Sequence, residues 1–305
     1  MTVRVYTHPA CLWHDTGPEH AECPERLRSV IDALLGAFPD LDWGEAPRAT
    51  RGQLLRAHAP ALLDAVLETK PVARMLLDPD TVLSPASAEA ALRAAGAGVA
   101  AVDAVLTGPD ARAFCAVRPP GHHASHDVAM GFCLFNAIAV AALHALDAHG
   151  LERVAIVDFD VHHGNGTQAI FEHDRRVFFA SSHQWPLYPG TGGRNETGVG
   201  NIVNATLPPN ADGTQFRAAW SSLLLPAVAA FRPQLLLVSA GFDGHRRDPL
   251  AELQLEADDF AWISRELVQL ANRHCGGRIV SMLEGGYDLE GLAESSVAHV
   301  RELRA

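Results

Sequence analysis

The sequence has few of the features that mark secreted, membrane-spanning or nucleic-acid-binding proteins. Its five cysteines include no CxxC pair, and an odd number fits no complete disulfide framework. It has no N-terminal apolar leader with a cleavage site, and no apolar run reaches the roughly 18 residues of a membrane span. Lysine and arginine number 24 against 36 acidic residues, and a net charge of −12 disfavours contacts with phosphates. We therefore expect a soluble cytoplasmic protein with free thiols that binds neither nucleic acid nor membranes. Its oligomeric state stays open.

Hydrophobic residues are abundant, at 48% of the chain, and their spacing alternates between strand-like and helical patterns. The predicted strands are residues 2–7, 113–117, 153–159, 176–181, 235–240 and 278–283. The predicted helices are residues 24–36, 51–57, 59–67, 86–106, 134–149, 166–172, 214–231 and 256–274. This alternation predicts one α/β domain over residues 1–305, with a mostly parallel central sheet flanked by helices on both faces. Two long irregular segments, 183–213 and 241–255, follow strand ends, so we expect them to build pocket walls.

Two of the predicted strands end abruptly in carboxylates and an imidazole. Asp160 and His162 follow the run Val154–Asp158, and Asp243 follows the run Leu235–Ala240. Asp160 and His162 are two positions apart, so on an extended segment they point to the same side. Open α/β sheets place their sites at the carboxyl ends of strands. Two carboxylates and one imidazole are a three-ligand set that leaves a divalent cation an open position. These residues predict a metal-dependent hydrolase.

Polar clusters follow two further predicted strands. The four clusters are Arg118-Pro-Pro-Gly-His122-His123, Asp160-Val-His162-His163-Gly-Asn165, Gly241-Phe242-Asp243 and Glu284-Gly285-Gly286-Tyr287-Asp288. Any single cluster has a structural explanation, such as a helix cap or a hydrogen-bonded loop. Four clusters at four strand ends favour a shared metal site.

The order and spacing of these motifs resemble those of the zinc-dependent histone deacetylase family, in particular its class II-like bacterial amidohydrolases. This family shares its fold with arginase. The matching segments are His14-Asp15-Thr16-Gly17, Cys23-Pro24-Glu25-Arg26, Arg118-Pro119-Pro120-Gly121-His122-His123, Gly131-Phe132-Cys133, Asp158-Phe-Asp160-Val-His162-His163-Gly164, Tyr188-Pro189-Gly190-Thr191-Gly192, Ala240-Gly241-Phe242-Asp243 and Glu284-Gly285-Gly286-Tyr287. The resemblance therefore extends over nearly the whole chain.

The resemblance implies one catalytic zinc ion, held by Asp160, His162 and Asp243. The metal would polarise an amide carbonyl and acidify its bound water, which attacks that carbonyl. A carboxylate-rich site also accepts iron(II) or cobalt(II), so the sequence leaves the identity of the metal open.

The resemblance also assigns roles to the catalytic groups around the metal. His123 is implied as the general base and His122 as its electrostatic neighbour, with Asp158 and Asn165 orienting the pair. Tyr287 is implied as the donor to the developing oxyanion. Where one branch of the family has Asp, this chain has Asn165, which stabilises imidazolium less and should keep His123 neutral. A weakly active branch has His in place of Tyr287, so the tyrosine favours an active enzyme.

The walls of the substrate channel are assigned in the same way. Phe132 and Tyr188 would form two sides of a narrow acyl-lysine channel, and Gly131 would offer its carbonyl to the substrate amide. Gly285, before Tyr287, would let the backbone approach the substrate closely. Leu250 lies where family members specialised for polyamines carry a gatekeeper glutamate, which favours acyl-lysine proteins or peptides over acylated small amines.

The resemblance implies two further sites. Arg26 would border an internal cavity that receives the released acid. A structural potassium ion would be held mainly by backbone carbonyls of Asp158, Asp160, His162, Ser181 and Ser182.

The favoured hypothesis is a zinc-dependent hydrolase that removes acetyl-like groups from lysine side-chain amides. One alternative is a deacetylase of acetylpolyamines or other small molecules. A second is a non-catalytic scaffold, against which the intact ligand set and Tyr287 argue. A third is an arginase-like ureohydrolase, which needs a second metal and more ligands around residues 241–248. The histidines outside the clusters are expected mostly at the surface or on helix faces; they are His8, His58, His144, His149, His173, His274 and His299.

Overall fold

A computed structural model describes residues 2–305 of the protein. In this range the strands are Val3–Thr7 (β1), Asp42–Glu45 (β2), Met75–Leu76 (β3), Val82–Leu83 (β4), Arg112–Cys115 (β5), Val154–Asp158 (β6), Val177–Gln184 (β7), Ile202–Leu207 (β8), Leu235–Ala240 (β9) and Ile279–Leu283 (β10). Eight of them form one parallel sheet in the order β2-β1-β5-β10-β9-β6-β7-β8, and β3 and β4 form a separate antiparallel pair. The predicted α/β class is confirmed.

The four strands that carry the polar clusters are neighbours at the centre of this sheet. They stand in the order β5, β10, β9 and β6, and every residue of these strands is buried. Their ends are in register, because Asp158 pairs with Ser239 and Ala240 pairs with Leu283. The residues that follow these strands therefore meet at one edge of the sheet, as in other parallel α/β folds.

The helices lie on both faces of the sheet. They are Pro24–Ala37 (α1), Arg51–Leu54 (α2), Pro60–Leu67 (α3), Ser87–Thr107 (α4), Ala137–His149 (α5), Asn165–Phe171 (α6), Gly213–Ala219 (α7), Leu225–Phe231 (α8), Ala257–His274 (α9) and Leu289–Arg304 (α10). Helices α4 and α5 pack together on one face, and α1, α9 and α10 pack together on the other. Two glycines form the predicted stop after α9, where Gly276 and Gly277 have φ angles of 61° and 82°.

Helix α4 corrects one expectation from the sequence. Its 21 residues are long and apolar enough to cross a membrane by length and composition alone. In the structure, 61% of its apolar 18-residue stretch is buried. The helix packs there against α5 and strands β1, β5 and β10. A core helix that is covered on several sides needs the same apolar character.

The sequence patterns missed the two edge strands and the last helix. Strand β2 lies at one edge of the sheet, and β8 lies at the other, inside the segment predicted to be irregular. Helix α10 was not predicted, although it packs against α1 and α9. The helix predicted over 214–231 is divided by a π-helical stretch at Trp220–Leu224.

Candidate active site

The predicted metal ligands come together at the carboxyl edge of β6 and β9. The Nδ1 atom of His162 lies 3.2 Å from Oδ1 of Asp160 and 3.2 Å from Oδ2 of Asp243. All three residues are buried. A tetrahedral divalent site with bonds of roughly 2.0–2.1 Å places its ligand atoms about 3.3 Å apart. The spacing of these donors therefore fits a metal ion.

Backbone amides hold the two carboxylates in place. Asp160 accepts from the amides of His162 and Gly285, at 2.9 and 2.8 Å, and Asp243 accepts from the amide of Val161 at 2.8 Å. A side chain at Gly285 would collide with both carboxylates. The glycine thus leaves room for the ligand cluster, and its predicted role near the substrate stays a prediction.

The electrostatics of the cluster favour a cation between the carboxylates. Burial and the neighbouring charge of Asp160 raise the pKa of Asp243 to about 7. Burial acts to lower the pKa of His162, but hydrogen bonds to Asp160 and Asp243 outweigh it and raise that pKa to about 10. Both shifts mean that the buried carboxylates attract protons to the same place. A divalent ion would supply positive charge there instead.

The two histidines after β5 lie beside this cluster with different partners. Nδ1 of His122 is 3.0 Å from Oδ2 of Asp158, and Nδ1 of His123 is 2.7 Å from Oδ1 of Asn165. The imidazole rings are 4.0 Å apart, centre to centre. Because an amide oxygen only accepts, Nδ1 of His123 carries the proton and Nε2 keeps its lone pair.

These partners move the two pKa values in opposite directions. Burial opposes the charged form of His122, but the charges of Asp160 and Asp158 raise its pKa well above the usual value. Burial and the neighbouring imidazoles of His122 and His162 lower the pKa of His123. Pairs of groups with separated pKa values suit an acid and a base in one site. At neutral pH, His123 is the member of the pair that can accept a proton.

Glu284 holds the backbone of Gly121 and His122 in place, a role that the sequence patterns did not predict. Its carboxylate accepts from the amides of Gly121 and His122, at 2.7 and 3.2 Å, and from the Ser239 hydroxyl at 3.0 Å. Burial raises its pKa to about 7. Its position after an apolar strand, in one of the four polar clusters, was the available signal.

Tyr287, in the last of the four polar clusters, packs against two predicted residues. Its ring makes an edge contact with Phe132, with centres 5.8 Å apart, and the Arg26 guanidinium lies 4.7 Å from its ring centre. Burial raises the pKa of Tyr287 well above the usual value for a phenol, so the hydroxyl remains a neutral donor.

A cavity of about 230 Å³ brings the chemistry and the predicted channel walls together. It is lined by Asp80, His123, Gly131, Phe132, His162, Leu187, Tyr188, Leu250 and Tyr287. Gly131 and Phe132 have φ angles of 56° and 67°, a backbone region that residues other than glycine rarely adopt. Leu187 lies in the segment 183–213 that was expected to build a pocket wall, and Asp80, between β3 and β4, was not predicted.

Arg26 is fully buried. It donates to the carbonyls of Glu284 and Gly286, at 2.6 and 2.5 Å, and to the carboxylate of Glu22 at 2.8 Å. These contacts exclude a surface ion pair, and the acid-release cavity beside Arg26 stays a prediction.

The residues predicted to hold potassium lie next to the metal ligands. Asp158 and Ser181 are register partners in β6 and β7. The Ser181 hydroxyl bonds to His183, and the Ser182 hydroxyl accepts from Trp220. Both serine hydroxyls thus already have protein partners. The potassium site on main-chain carbonyls stays a prediction.

Comparison with known proteins identifies the family of this chain. Residues 20–303 match the family described as the histone deacetylase domain. The chain belongs to the histone deacetylase family. A histone deacetylase-like amidohydrolase of Pseudomonas aeruginosa is 39% identical over 318 residues, which cover 96% of this chain and 83% of that protein. Polyamine deacetylase HDAC10 of Homo sapiens is 40% identical over 313 residues, which cover 96% of this chain and 46% of the human protein.

The fold agrees with this assignment. The crystal structure of the HDA15 HD domain superimposes with a TM-score of 0.93 and 36% identity, over 99% of this chain and 88% of that one. As a member of the histone deacetylase family, the protein is a hydrolytic deacetylase. The expectation of an enzyme is confirmed, and the scaffold alternative loses its basis. The arginase-like alternative finds no support either, because neither group of residues within 2–305 that could hold a metal ion includes Asp248.

Proposed function

We propose that this histone deacetylase-family protein is a zinc-dependent deacylase of lysine side chains. One observation carries the proposal. A single narrow cavity is lined by the metal-ligand candidate His162, by His123 and Tyr287, and by the aromatic walls Phe132 and Tyr188. An acyl-lysine has a thin apolar stem with an amide at its end. Such a side chain suits a cavity with aromatic walls and polar groups at its base.

Zinc held by Asp160, His162 and Asp243 would polarise the amide carbonyl and lower the pKa of a water molecule. His123 would take a proton from that water at Nε2 and later deliver it to the leaving amine nitrogen. Asn165 supports this role because its oxygen fixes the proton of His123 on Nδ1.

Tyr287 would donate its hydroxyl proton in a hydrogen bond to the carbonyl oxygen as negative charge develops there. Its ring lies between Arg26 and Phe132, which limit its motion. Asp158 would hold His122 beside the base as a charged neighbour. Gly131, at the cavity wall, would accept a hydrogen bond from the substrate amide through its carbonyl.

Two further proposals concern the setting of the enzyme. A potassium ion on the backbone carbonyls around Asp158 and Ser181 would stabilise the strand ends that carry the zinc ligands. The free cysteine thiols support the proposal that the enzyme is located in a reducing compartment such as the cytoplasm.

Acetylated polyamines and similar small amines are a second candidate substrate class. Leu250 offers no charge to a second ammonium group, but Asp80 also lines the cavity and carries a carboxylate. One relative is named polyamine deacetylase HDAC10, so acetylated polyamines should be tested beside acyl-lysine peptides. We place acyl-lysine first because the aromatic walls match its apolar stem.

The test is a panel of acyl-lysine peptides and acetylated polyamines on zinc-loaded protein. The proposal expects the highest kcat/KM with acetyl-lysine peptides. Faster turnover of acetylspermidine would make polyamines the substrate class. An enzyme that is inactive on every acylated amine with zinc, cobalt(II) or iron(II) would overturn the proposal.

A further inference from the structure

One peptide unit next to the catalytic tyrosine is held at both of its ends. The carbonyl of Gly286 accepts from Nε of Arg26 at 2.5 Å, and the amide of Tyr287 donates to Oδ2 of Asp248 at 2.7 Å. These two atoms belong to the same peptide plane. Rotation of that plane would therefore break two hydrogen bonds to charged side chains, which are the stronger kind.

The held peptide needs such support because of the glycine before it. Gly286 has a φ angle of 125°, which only glycine adopts readily. Glycine brings no side chain that would restrict this torsion. The direction of the Tyr287 side chain therefore depends on what holds the peptide.

Asp248 is built into this corner of the site. It is 7% exposed, and its second oxygen, Oδ1, accepts from the amide of Leu250 at 2.9 Å. Its own amide donates to the carbonyl of His245 at 2.8 Å. Within residues 2–305, no arginine or lysine pairs with its carboxylate. The carboxylate thus accepts from the backbone amides of Leu250 and Tyr287, and both of these residues line the cavity.

We propose that Asp248 is a positioning residue that fixes the Tyr287 hydroxyl for catalysis by holding the peptide between Gly286 and Tyr287. This inference rests on the proposed role of Tyr287 as the oxyanion donor. Asp248 itself does not line the cavity, and the hydrogen bonds of its carboxylate go to the backbone rather than to the metal-ligand candidates. Its contribution passes through the backbone of Tyr287, so it should affect the transition state more than substrate binding.

The first variant is Asp248→Asn, assayed well above the pKa of about 6 that burial gives Asp248. Asparagine keeps the size of the side chain but replaces one acceptor with an NH₂ group, which faces an amide donor. A catalytic group that is misplaced by about 1 Å can lose on the order of 100-fold in rate. We expect kcat to fall by that factor, with KM, zinc content and Tm close to those of the parent.

A double-mutant cycle with Tyr287→Phe separates positioning from general damage. If Asp248 acts through the tyrosine hydroxyl, Asp248→Asn has nothing left to disturb once that hydroxyl is gone. Added to Tyr287→Phe, it should then change kcat by less than about twofold, whereas independent effects would multiply. Asp248→Ala, which loses both acceptor atoms, should behave in the same way with a larger single effect.

Asp259 provides a matched control. It is also 7% exposed, and it accepts from the amide of Glu256 and from Arg217, but it does not line the cavity. Asp259→Asn should leave kcat within about twofold of the parent, as expected for a site remote from the chemistry.

Three results would overturn the inference while the parent enzyme remains active: an unchanged kcat in Asp248→Asn, a change confined to KM, or full multiplicativity in the cycle. A change confined to KM would assign Asp248 to the Leu250 wall instead. A parent enzyme without activity on acylated amines, or a Tyr287→Phe variant as active as the parent, would instead contradict the proposed function.

Discussion

Residues 2–305 contain two clusters of aspartate and histidine that could hold a metal ion, and their donor atoms are arranged differently. The first, here called the catalytic cluster for its place in the proposed mechanism, consists of Asp160, His162 and Asp243. The second, here called the remote cluster, consists of Asp103 on α4 with His144 and His149 on α5. Both offer carboxylate and imidazole donors, so residue types alone do not separate them.

The distances between donor atoms differ in the two clusters. In the catalytic cluster, the imidazole nitrogen stands 3.2 Å from each carboxylate oxygen, close to the edge of a metal tetrahedron. In the remote cluster, Oδ1 of Asp103 lies 2.7 Å from Nε2 of His144 and 2.6 Å from Nε2 of His149. The distances in the remote cluster are those of short hydrogen bonds to a charged group, whereas a spacing of 3.2 Å also suits donors around a metal ion.

The direction of the hydrogen bonds confirms the difference. Nη1 of Arg56 lies 2.9 Å from Nδ1 of His144, and arginine only donates. Nδ1 of His144 must therefore accept, which leaves the proton on Nε2, the nitrogen that faces Asp103. Both ring nitrogens of His144 are therefore taken by protein partners. The remote cluster thus ties α4 to α5 through hydrogen bonds.

The largest expected effect comes from breaking the catalytic cluster. Asp160→Ala should lose the metal and more than about 10³-fold in kcat/KM, because a metal supplies several kcal/mol of charge stabilisation. The matched change in the remote cluster, Asp103→Ala, should keep kcat/KM within about twofold. Steady-state assays on both purified variants test this. Equal losses in the two variants would remove the distinction between the clusters.

His123→Ala separates the base from the metal. Proton transfer by a positioned side chain typically contributes about 10²–10⁴-fold. We expect kcat to fall on that scale while the metal content stays at the parent level, since His123 is not among the ligands. Kinetics and elemental analysis on one preparation provide the measurement. Parent-like turnover would remove His123 from the mechanism.

Tyr287→Phe deletes one hydroxyl and keeps the ring packed between Arg26 and Phe132. Removal of one oxyanion donor typically costs about 10²–10³ in kcat. KM and the affinity for hydroxamate chelators should change much less, because the hydrogen bond strengthens in the transition state. A parent-like kcat would mean that another group holds the oxyanion.

The smallest expected effect concerns stability in the remote cluster. Asp103 is half exposed, so Asp103→Asn should lower the free energy of unfolding by no more than about 1 kcal/mol. Burial opposes it, but bonds from His144 and His149 lower the folded-state pKa of Asp103 below 3.8. The stabilisation is therefore present above pH 3.8 and is lost as the pH falls through the lower folded-state value. Denaturant unfolding of both proteins at several pH values checks this, and a difference that grows at low pH would contradict it.

The sequence patterns predicted the centre of the sheet better than its edges. Strands β6 and β9 are buried on both faces, so they appear as unbroken apolar runs. In β2 only Gly44 is buried, and β8 carries Asn204 in its interior, so neither has such a run. Helix α10 was missed because polar residues such as Ser296 and His299 occupy its buried face. The histidines outside the clusters were expected mostly at the surface or on helix faces; His144 and His299 lie on helices α5 and α10, and both are buried, as is His58.

The same reasoning explains which site residues were found. The three ligand candidates each follow a recognisable strand. Their meeting could be predicted because parallel strands place their carboxyl ends at one edge of the sheet. Asp80 and Asp248 reach the site from loops that fold back over it. The bond from Tyr287 to Asp248 joins residues 39 positions apart, and no local pattern encodes that contact.

The most direct test of the account is the number of metal ions bound per chain. Elemental analysis should be made on the parent protein, on Asp243→Ala and on His149→Ala, each loaded with zinc and dialysed in parallel. We predict one ion per chain in the parent, none in Asp243→Ala and one in His149→Ala. Two ions in the parent with one lost in His149→Ala, or an active parent without metal, would contradict the account.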